Sequence, residues 1–393
     1  MKKDTKVIRA GNDKTRNAGI VNTPVFHAST IVFDSVKAMN DADERGFRRG
    51  EKVMYYGRRG TPTHWTLQDA ITELAGGADT VLAPSGLGAC VLAIMGSVKS
   101  GDHILVTDSV YGPTRGFCNG FLKNFGVETT FFDPLLGSNI SKVMQPNTTL
   151  VFCESPGTHT FEVQDLPAIA DAAHEGGAKV AADNTWASPW FCNPIALGAD
   201  ISIEAATKYI VGHSDANMGT VTCTTETLPG VQHAYGALGL AIGVDDVYLA
   251  TRGLRTLPAR LKQHQDSAIK VAGWLKEQPN VKRVLYPPLI DDPGHAIWAR
   301  DFSGGSGLFS VVFDKSSSLA AAALIDGMEL FTIGYSWGGF ESLIVPSMPS
   351  GARSATKWTE PEPGIRLHIG LEDPEDLIAD LDRGLARFRR ALG

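Results

Sequence analysis

Residues 179–209 read KVAADNTWASPWFCNPIALGADISIEAATKY. Lys179–Ala182 and Asp200–Ala205 are short, apolar-rich runs bounded by Gly, Pro, Asn and Asp, too short for helices and flanked by turn chemistry. Each predicts a buried strand. Working outward, Asp79–Ala83, His103–Thr107, Glu128–Phe132, Thr149–Glu154 and Gly219–Cys223 carry the same signature, with helical stretches between them. Such alternation predicts an α/β chain with a mostly parallel sheet covered by helices on both faces. Chemistry in sheets of this kind gathers at the carboxyl ends of the strands.

The flanks divide the chain further. Residues 1–60 are rich in Gly, Asn, Arg and Lys with only short apolar pieces, which predicts an extended N-terminal arm unable to fold alone. From Thr61 a helix is expected, with Pro62 in its first turn, Leu67, Ile71 and Leu74 on one face and Gly76-Gly77 at its end. A large domain is thereby placed at 61–243. After Gly243 a long helical stretch, interrupted at Pro258, runs to Gln278, followed by strands Val281–Tyr286, Gly307–Phe313 and Ile365–Ile369. This predicts a smaller α+β domain over 244–393, closed by a helix that starts at Asp373-Pro374-Glu375 and carries Leu377, Leu381, Leu385 and Phe388 as one stripe. Residues 334–364, rich in Gly, Ser and Pro and without periodicity, read as a binding loop.

Composition narrows the function. With 43% hydrophobic and 20% charged residues in 393, the chain has the makeup of an ordinary globular protein. A net charge of −7 with no long basic run disfavours nucleic acid or an anionic membrane as partner, leaving small molecules. Cys90, Cys118, Cys153, Cys192 and Cys223 are scattered, odd in number and free of CxxC pairs, so buried thiols in a reducing cytoplasm are expected. The N-terminal stretch lacks an apolar h-region and no segment approaches a membrane span, which predicts a soluble, unprocessed chain. The ten histidines show neither HExxH nor an acid-rich cluster, so no metal is expected.

Three strand ends carry candidate chemistry. Ser85-Gly86-Leu87-Gly88 follows a predicted strand and opens the apolar helix Ala89–Met95, so its N–H groups suit a phosphate; Val91 stands where a dinucleotide fingerprint needs its third glycine. Asp183 ends an apolar strand, where a carboxylate needs a cationic partner. Lys208, in Ala206-Thr207-Lys208-Tyr209, ends another strand 25 residues later. Singly these are a common turn, a helix N-cap and a solvated lysine. In combination they are a phosphate cradle, an acid for a pyridinium nitrogen and an amine that condenses with an aldehyde, which is what pyridoxal phosphate requires. Tyr111, after the strand His103–Thr107, is available to stack on the ring.

With these residues in hand, the chain resembles the Cys/Met-metabolism family of fold-type I pyridoxal-phosphate enzymes, whose large domain is aspartate aminotransferase-like, and most nearly its β-lyase branch. The motifs are Tyr56-Gly-Arg58-Arg-Gly-Thr-Pro-Thr-His64, Ser85-Gly-Leu-Gly88, Glu154-Ser-Pro-Gly157, Asp183-Asn-Thr185, Ala206-Thr-Lys-Tyr209, Gly212-His-Ser-Asp215 and Arg366-Leu-His-Ile-Gly370, in family order over nearly the whole chain. The resemblance implies that Lys208 holds the cofactor covalently and moves the substrate α-proton, that Asp183 pairs with the ring nitrogen, and that Tyr111 stacks on the ring. It further implies a phosphate site from Gly86, Leu87 and Thr207, joined by Tyr56 and Arg58 of a neighbouring subunit in a homotetramer built as a dimer of dimers with shared active sites. Arg366 would hold the substrate α-carboxylate. Ala205 stands where many relatives carry serine, one hydroxyl fewer for the phosphate.

The implied reaction is cleavage of a Cβ–S bond, with L-cystathionine yielding homocysteine, pyruvate and ammonia. Tyr335-Ser336-Trp337 resembles the Tyr-Ser-Trp of β-lyases, whereas γ-lyases and γ-synthases usually carry an acid at the Tyr335 position. Tyr335 and Trp337 are expected to wall the substrate pocket and Ser336 to orient the Lys208 amine. Gly112 and Gly116 stand where some bacterial β-lyases have acidic residues able to meet a substrate's distal ammonium, which leaves strict selectivity for cystathionine open. The alternatives are cystathionine γ-lyase, γ-synthase or methionine γ-lyase chemistry, a cofactor-bound regulatory protein with little turnover, and an oxidoreductase.

Overall fold

The computed structural model describes residues 1–393. Strands β1 (Asp79–Ala83), β2 (His103–Thr107), β3 (Glu128–Phe132), β4 (Thr148–Glu154), β5 (Lys179–Asp183), β6 (Ile201–Glu204) and β7 (Gly219–Cys223) form one sheet in the order β1-β7-β6-β5-β4-β2-β3. Only β7 runs against its neighbours; the remaining pairs are parallel. Adjacent residues on these strands supply opposite faces, as the period of two requires. Ile104, Val106, Leu150, Phe152 and Ala181 pack with helix Gly86–Met95, while Leu105, Val151, Cys153, Val180 and Ala182 pack with helix Leu166–Glu175.

The expected helix after Thr61 is observed as Pro62–Ala75, with Pro62 in its first turn and Gly76 at φ 75 ending it. The arm is not wholly extended as expected: Lys3–Arg9 and Val36–Asp43 are helices, the latter continued by a π-helical turn at Glu44–Arg48. The first buries Val7 and Ala10 in the main core, and is held by Arg255 Nη1 on the carbonyls of Val7 and Ala10 at 2.7 and 2.9 Å. The first ten residues are therefore docked on the body of the molecule.

A second sheet of β8 (Val281–Leu285), β9 (Leu308–Phe313), β10 (Thr332–Ile333), β11 (Leu343–Ser347) and β12 (Gly364–His368) has the order β10-β11-β12-β9-β8. It is antiparallel except for the short β10–β11 pair. Helices Val244–Leu254 and Leu257–Lys276, the latter with Pro258 in its first turn, lead into it. The closing helix Pro374–Leu392 is capped by Asp373, whose side chain accepts from Glu375 N. Leu377, Leu381, Leu385 and Phe388 are all buried, each contributing roughly 1.5–3 kcal/mol, and Phe388 stacks on Phe313 at 4.2 Å. The stretch 334–364 is not wholly a loop, because β11 lies inside it, paired with β12 through Pro346 opposite Ile365.

The two sheets are tied by Asp108, just beyond β2. Its carboxylate accepts from the N–H groups of Ser354, Ala355 and Thr356 at 2.9, 3.0 and 2.8 Å, from the Thr356 hydroxyl at 2.9 Å, and from Arg115 Nη2 at 2.7 Å. Desolvation alone would raise its pKa, but these donors hold the carboxyl well below the usual carboxylate range. No helix is long and apolar enough to cross a membrane.

Candidate active site

Helix Gly86–Met95 begins directly after β1. Ser85, in extended conformation, caps it by accepting from Gly88 N at 2.9 Å. The first-turn N–H groups of Gly86 and Leu87 have no intrahelical acceptor and lie at the positive end of the helix dipole, an arrangement suited to a phosphate. Gly86 is needed for a close approach: a Cβ there would lie 2.4 Å from that of Ala205. The cradle thus closes on the segment that leads into Thr207 and Lys208. The Thr207 hydroxyl points its one proton at Met218 O, 3.1 Å away, and accepts from Met218 N at 2.9 Å. Serving an anion requires that hydroxyl to turn from the main chain.

Asp183 ends β5 between β4 and β6 and is buried. One oxygen accepts from the amide and hydroxyl of Thr185 at 3.0 and 2.5 Å, the other from Cys90 Sγ at 3.6 Å. Thr185 in turn accepts from Ala205 N at 2.8 Å, locking the acid to the same segment as the cradle. Burial raises the Asp183 pKa, opposed by Thr185, Cys90 and the charge of Lys208. No ion pair satisfies this carboxylate within the chain, so the residues present fit a cofactor that brings a protonated ring nitrogen.

Sequence reasoning missed two further acids here as site residues. Glu154, at the end of β4, is the register partner of Asp183 and accepts from Tyr111 N at 2.7 Å and from the Thr158 hydroxyl. Burial, then the charge of Asp183, raises its pKa to about 8. Glu204, at the end of β6, accepts from the Ser202 and Thr220 hydroxyls at 2.8 Å each, and burial raises it to about 7. The signal was present in the sequence as a glutamate closing each apolar run, but only the register shows that Glu154 stands opposite Asp183, whereas Glu204 lies one residue beyond Ile203, the partner of Asp183.

Across the cleft stands the Lys208 amine, hydrogen-bonded to the Ser336 hydroxyl and 5.1 Å from the Trp337 ring. Burial and the Arg366 charge bring its pKa down to about 8, against the pull of Asp183. Arg366, on β12, is desolvated and lies 3.5 Å through Nη2 from Ser336 O. Tyr111 is half-exposed, its phenol pKa raised by burial and then by Cys90, Glu154 and Asp183, and lowered by Arg366. The chain therefore brings Lys208, Asp183, Tyr111, Ser336, Trp337 and Arg366 to one place.

Three expected residues stand apart. Tyr335 is 95% exposed and does not wall the pocket as expected, because the turn at Ser336, φ 84, carries its side chain away from Trp337, which packs on Tyr209 at 5.5 Å. Tyr56 and Arg58 neither hydrogen-bond nor ion-pair with the residues above. Arg58 lies 6.0 Å from the ring of the half-exposed Tyr56, and its buried Nη1 has no partner. A cleft of about 520 Å³ opens beside the arm, among Lys52, Tyr55, Arg59, Trp65, His233 and Tyr235, and includes no residue of the Lys208 cluster.

Comparison with known proteins bears on the family and the fold. A cystathionine beta-lyase of Escherichia coli (strain K12) is 46% identical over 393 residues, which covers 98% of this chain and 99% of that protein. The cystathionine beta-lyase of Salmonella typhimurium is 44% identical over 391 residues, 98% of each chain. Among solved structures, cystathionine gamma synthase from Xanthomonas oryzae pv. oryzae, in complex with aminoacrylate and cysteine, superposes with a TM-score of 0.88 at 32% identity, over 100% of this chain and 99% of that one. The fold is that of the fold-type I pyridoxal-phosphate enzymes, and since residues 4–386 match the family described as Cys/Met metabolism PLP-dependent enzyme, the chain belongs to that family.

Proposed function

We propose that the chain is a carbon–sulfur lyase that cleaves the Cβ–S bond of L-cystathionine and, with one water, yields homocysteine, pyruvate and ammonia. The observation that carries this reading is the Lys208 amine, brought to a pKa of about 8 and held on Ser336 between Asp183 and Arg366. Pyridoxal phosphate bound at Lys208 supplies an electron-withdrawing ring that stabilises negative charge at the substrate Cα.

The remaining work belongs to the side chains. Arg366 binds the substrate α-carboxylate, and Lys208, neutral for much of the time near pH 8, takes the proton from Cα. Ser336 orients that amine. Asp183 keeps the ring nitrogen protonated and Tyr111 covers the ring face. The N–H groups of Gly86 and Leu87, with the Thr207 hydroxyl, hold the phosphate. Trp337, beside the Lys208 amine, would limit the substrate pocket.

Arg58 has a buried guanidinium nitrogen without a partner, and Tyr56 faces solvent. Both are read as serving the site of a neighbouring subunit in a homotetramer of two close dimers. The division into arm (1–60), large domain (61–243) and small domain (244–393) is part of the same reading. A cytoplasmic location fits the five buried, unpaired cysteines.

Chromatography of the keto acids formed from L-cystathionine tests the reaction. Pyruvate with homocysteine is the expected result; 2-oxobutyrate with cysteine reassigns the chain to γ-elimination, and no turnover by cofactor-loaded protein assigns it to binding alone.

A further inference from the structure

His368 ends β12, two residues after Arg366, and is buried. Its Nε2 lies 3.1 Å from Gly338 N and 3.1 Å from Gly339 O. Gly338 has φ +86, and a Cβ on it would fall 2.9 Å from the Cα and carbonyl carbon of Lys208. The main chain that His368 grips is therefore pressed against the main chain of Lys208. Two residues earlier the same loop carries Ser336, whose hydroxyl meets the Lys208 amine, and between them Trp337 lies against Tyr209.

His264 packs behind His368. His264 Nδ1 is 2.8 Å from Ile369 O, an acceptor only, so the proton sits on that nitrogen and leaves Nε2 as a bare acceptor. The two imidazole centroids are 5.3 Å apart, and the buried nitrogens without partners are His264 Nε2 and His368 Nδ1. His368 Nε2 thus meets a main-chain donor, Gly338 N–H, and a main-chain acceptor, Gly339 O, so in either neutral tautomer it holds one of these two adjacent residues of the loop. Both rings are neutral, since burial opposes charge and His264, Arg366 and Lys208 repel a proton on His368.

We propose that His368 is a positioning residue for the reaction: its hold on the Gly338-Gly339 main chain sets the loop that presents Ser336 to the Lys208 amine and keeps Trp337 beside it. The inference rests on the reading of Lys208 as the residue that carries the cofactor and moves the proton. His368 touches neither substrate nor cofactor and acts through that main chain.

The test uses cofactor-loaded His368→Leu and His368→Gln. Leu fills the space without an acceptor, whereas the Gln amide oxygen offers one to Gly338 N–H. Without substrate, the pH midpoint of the bound cofactor's absorbance reports the surroundings of the Lys208 nitrogen. With L-cystathionine, kcat and KM report the reaction. His368→Leu is expected to lower kcat about tenfold or more, change KM less than about threefold and move the spectral midpoint by roughly half a pH unit, with His368→Gln recovering most of both. Should His368→Leu not fold, Gly338→Ala displaces the same loop through its positive φ and must reproduce the loss and the shift. A kcat and midpoint unchanged in His368→Leu or Gly338→Ala overturn the proposal, as does a loss that His368→Gln fails to relieve. The spectral arm needs no substrate, so a wild-type protein that spares cystathionine contradicts the proposed reaction without touching this inference.

Discussion

Glu154 and Asp183 face each other in register at the carboxyl ends of two adjacent parallel strands, both buried, each raising the cost of ionising the other. Burial, and then the charge of Asp183, raises the Glu154 pKa to about 8 against an ordinary value of 4.5. Because its folded value is raised, the native state holds the extra proton between those limits. The contribution to stability is whole below about 4.5 and is lost as pH rises through about 8. The thermal midpoint of cofactor-free protein is expected to fall across that window, and Glu154→Gln, whose amide oxygen still accepts from Tyr111 N, is expected to shallow the fall. An identical slope in the variant contradicts the assignment.

Borohydride reduction of loaded protein followed by peptide mapping is expected to place a pyridoxyl group on Lys208. Label on another lysine removes the basis for the proposed site. Lys208→Ala keeps the fold and loses nearly all turnover, since the covalent anchor and the proton carrier go together. Uptake of the cofactor by the empty protein is expected to quicken as pH rises through about 8, where the Lys208 amine becomes neutral.

Arg58→Ala and Lys208→Ala are each expected to be inactive. Dissociated, mixed and reassembled, they are expected to regain activity, because some sites then combine an intact Arg58 from one subunit with an intact Lys208 from another. Proven hybrids without recovery mean that the arm serves its own chain.

Asp108→Ala leaves the three successive N–H groups of Ser354, Ala355 and Thr356 without their shared acceptor. A loss of about 3–5 kcal/mol is expected, in the range for breaking a buried charged network. Limited trypsin digestion is expected to cut near Lys357 faster than in wild type. Equal cleavage rates and unfolding midpoints count against a clamp.

The seven-stranded sheet was legible because its strands are buried on both faces, so Ile104 to Val106 or Val180 to Ala182 spell unbroken apolar runs. β11 was not, since Pro346 and the Gly, Ser and Pro around it write a loop, and only its ladder with β12 makes it a strand. The helix at Lys3–Arg9 has a single buried side chain, too few for a period. Lys208 and Asp183 stood out as charges at the ends of apolar strands, whereas Arg366 was reached through the family resemblance. The Asp108 clamp joins residues 246 to 248 positions apart, and the His368 contact spans 30, so neither leaves a local trace in the sequence.

The groups read as gripping the cofactor, on Lys208, Asp183, Gly86 and Tyr111, belong to the seven-stranded sheet and its helices, whereas Arg366, Ser336 and Trp337 come from the strands and loop of the five-stranded one. Affinity for the coenzyme and choice of amino acid are thus inherited on separate pieces of the scaffold. On this reading, substitutions around β11 can redraw what is consumed while the groups that hold the coenzyme pass unaltered to the descendants.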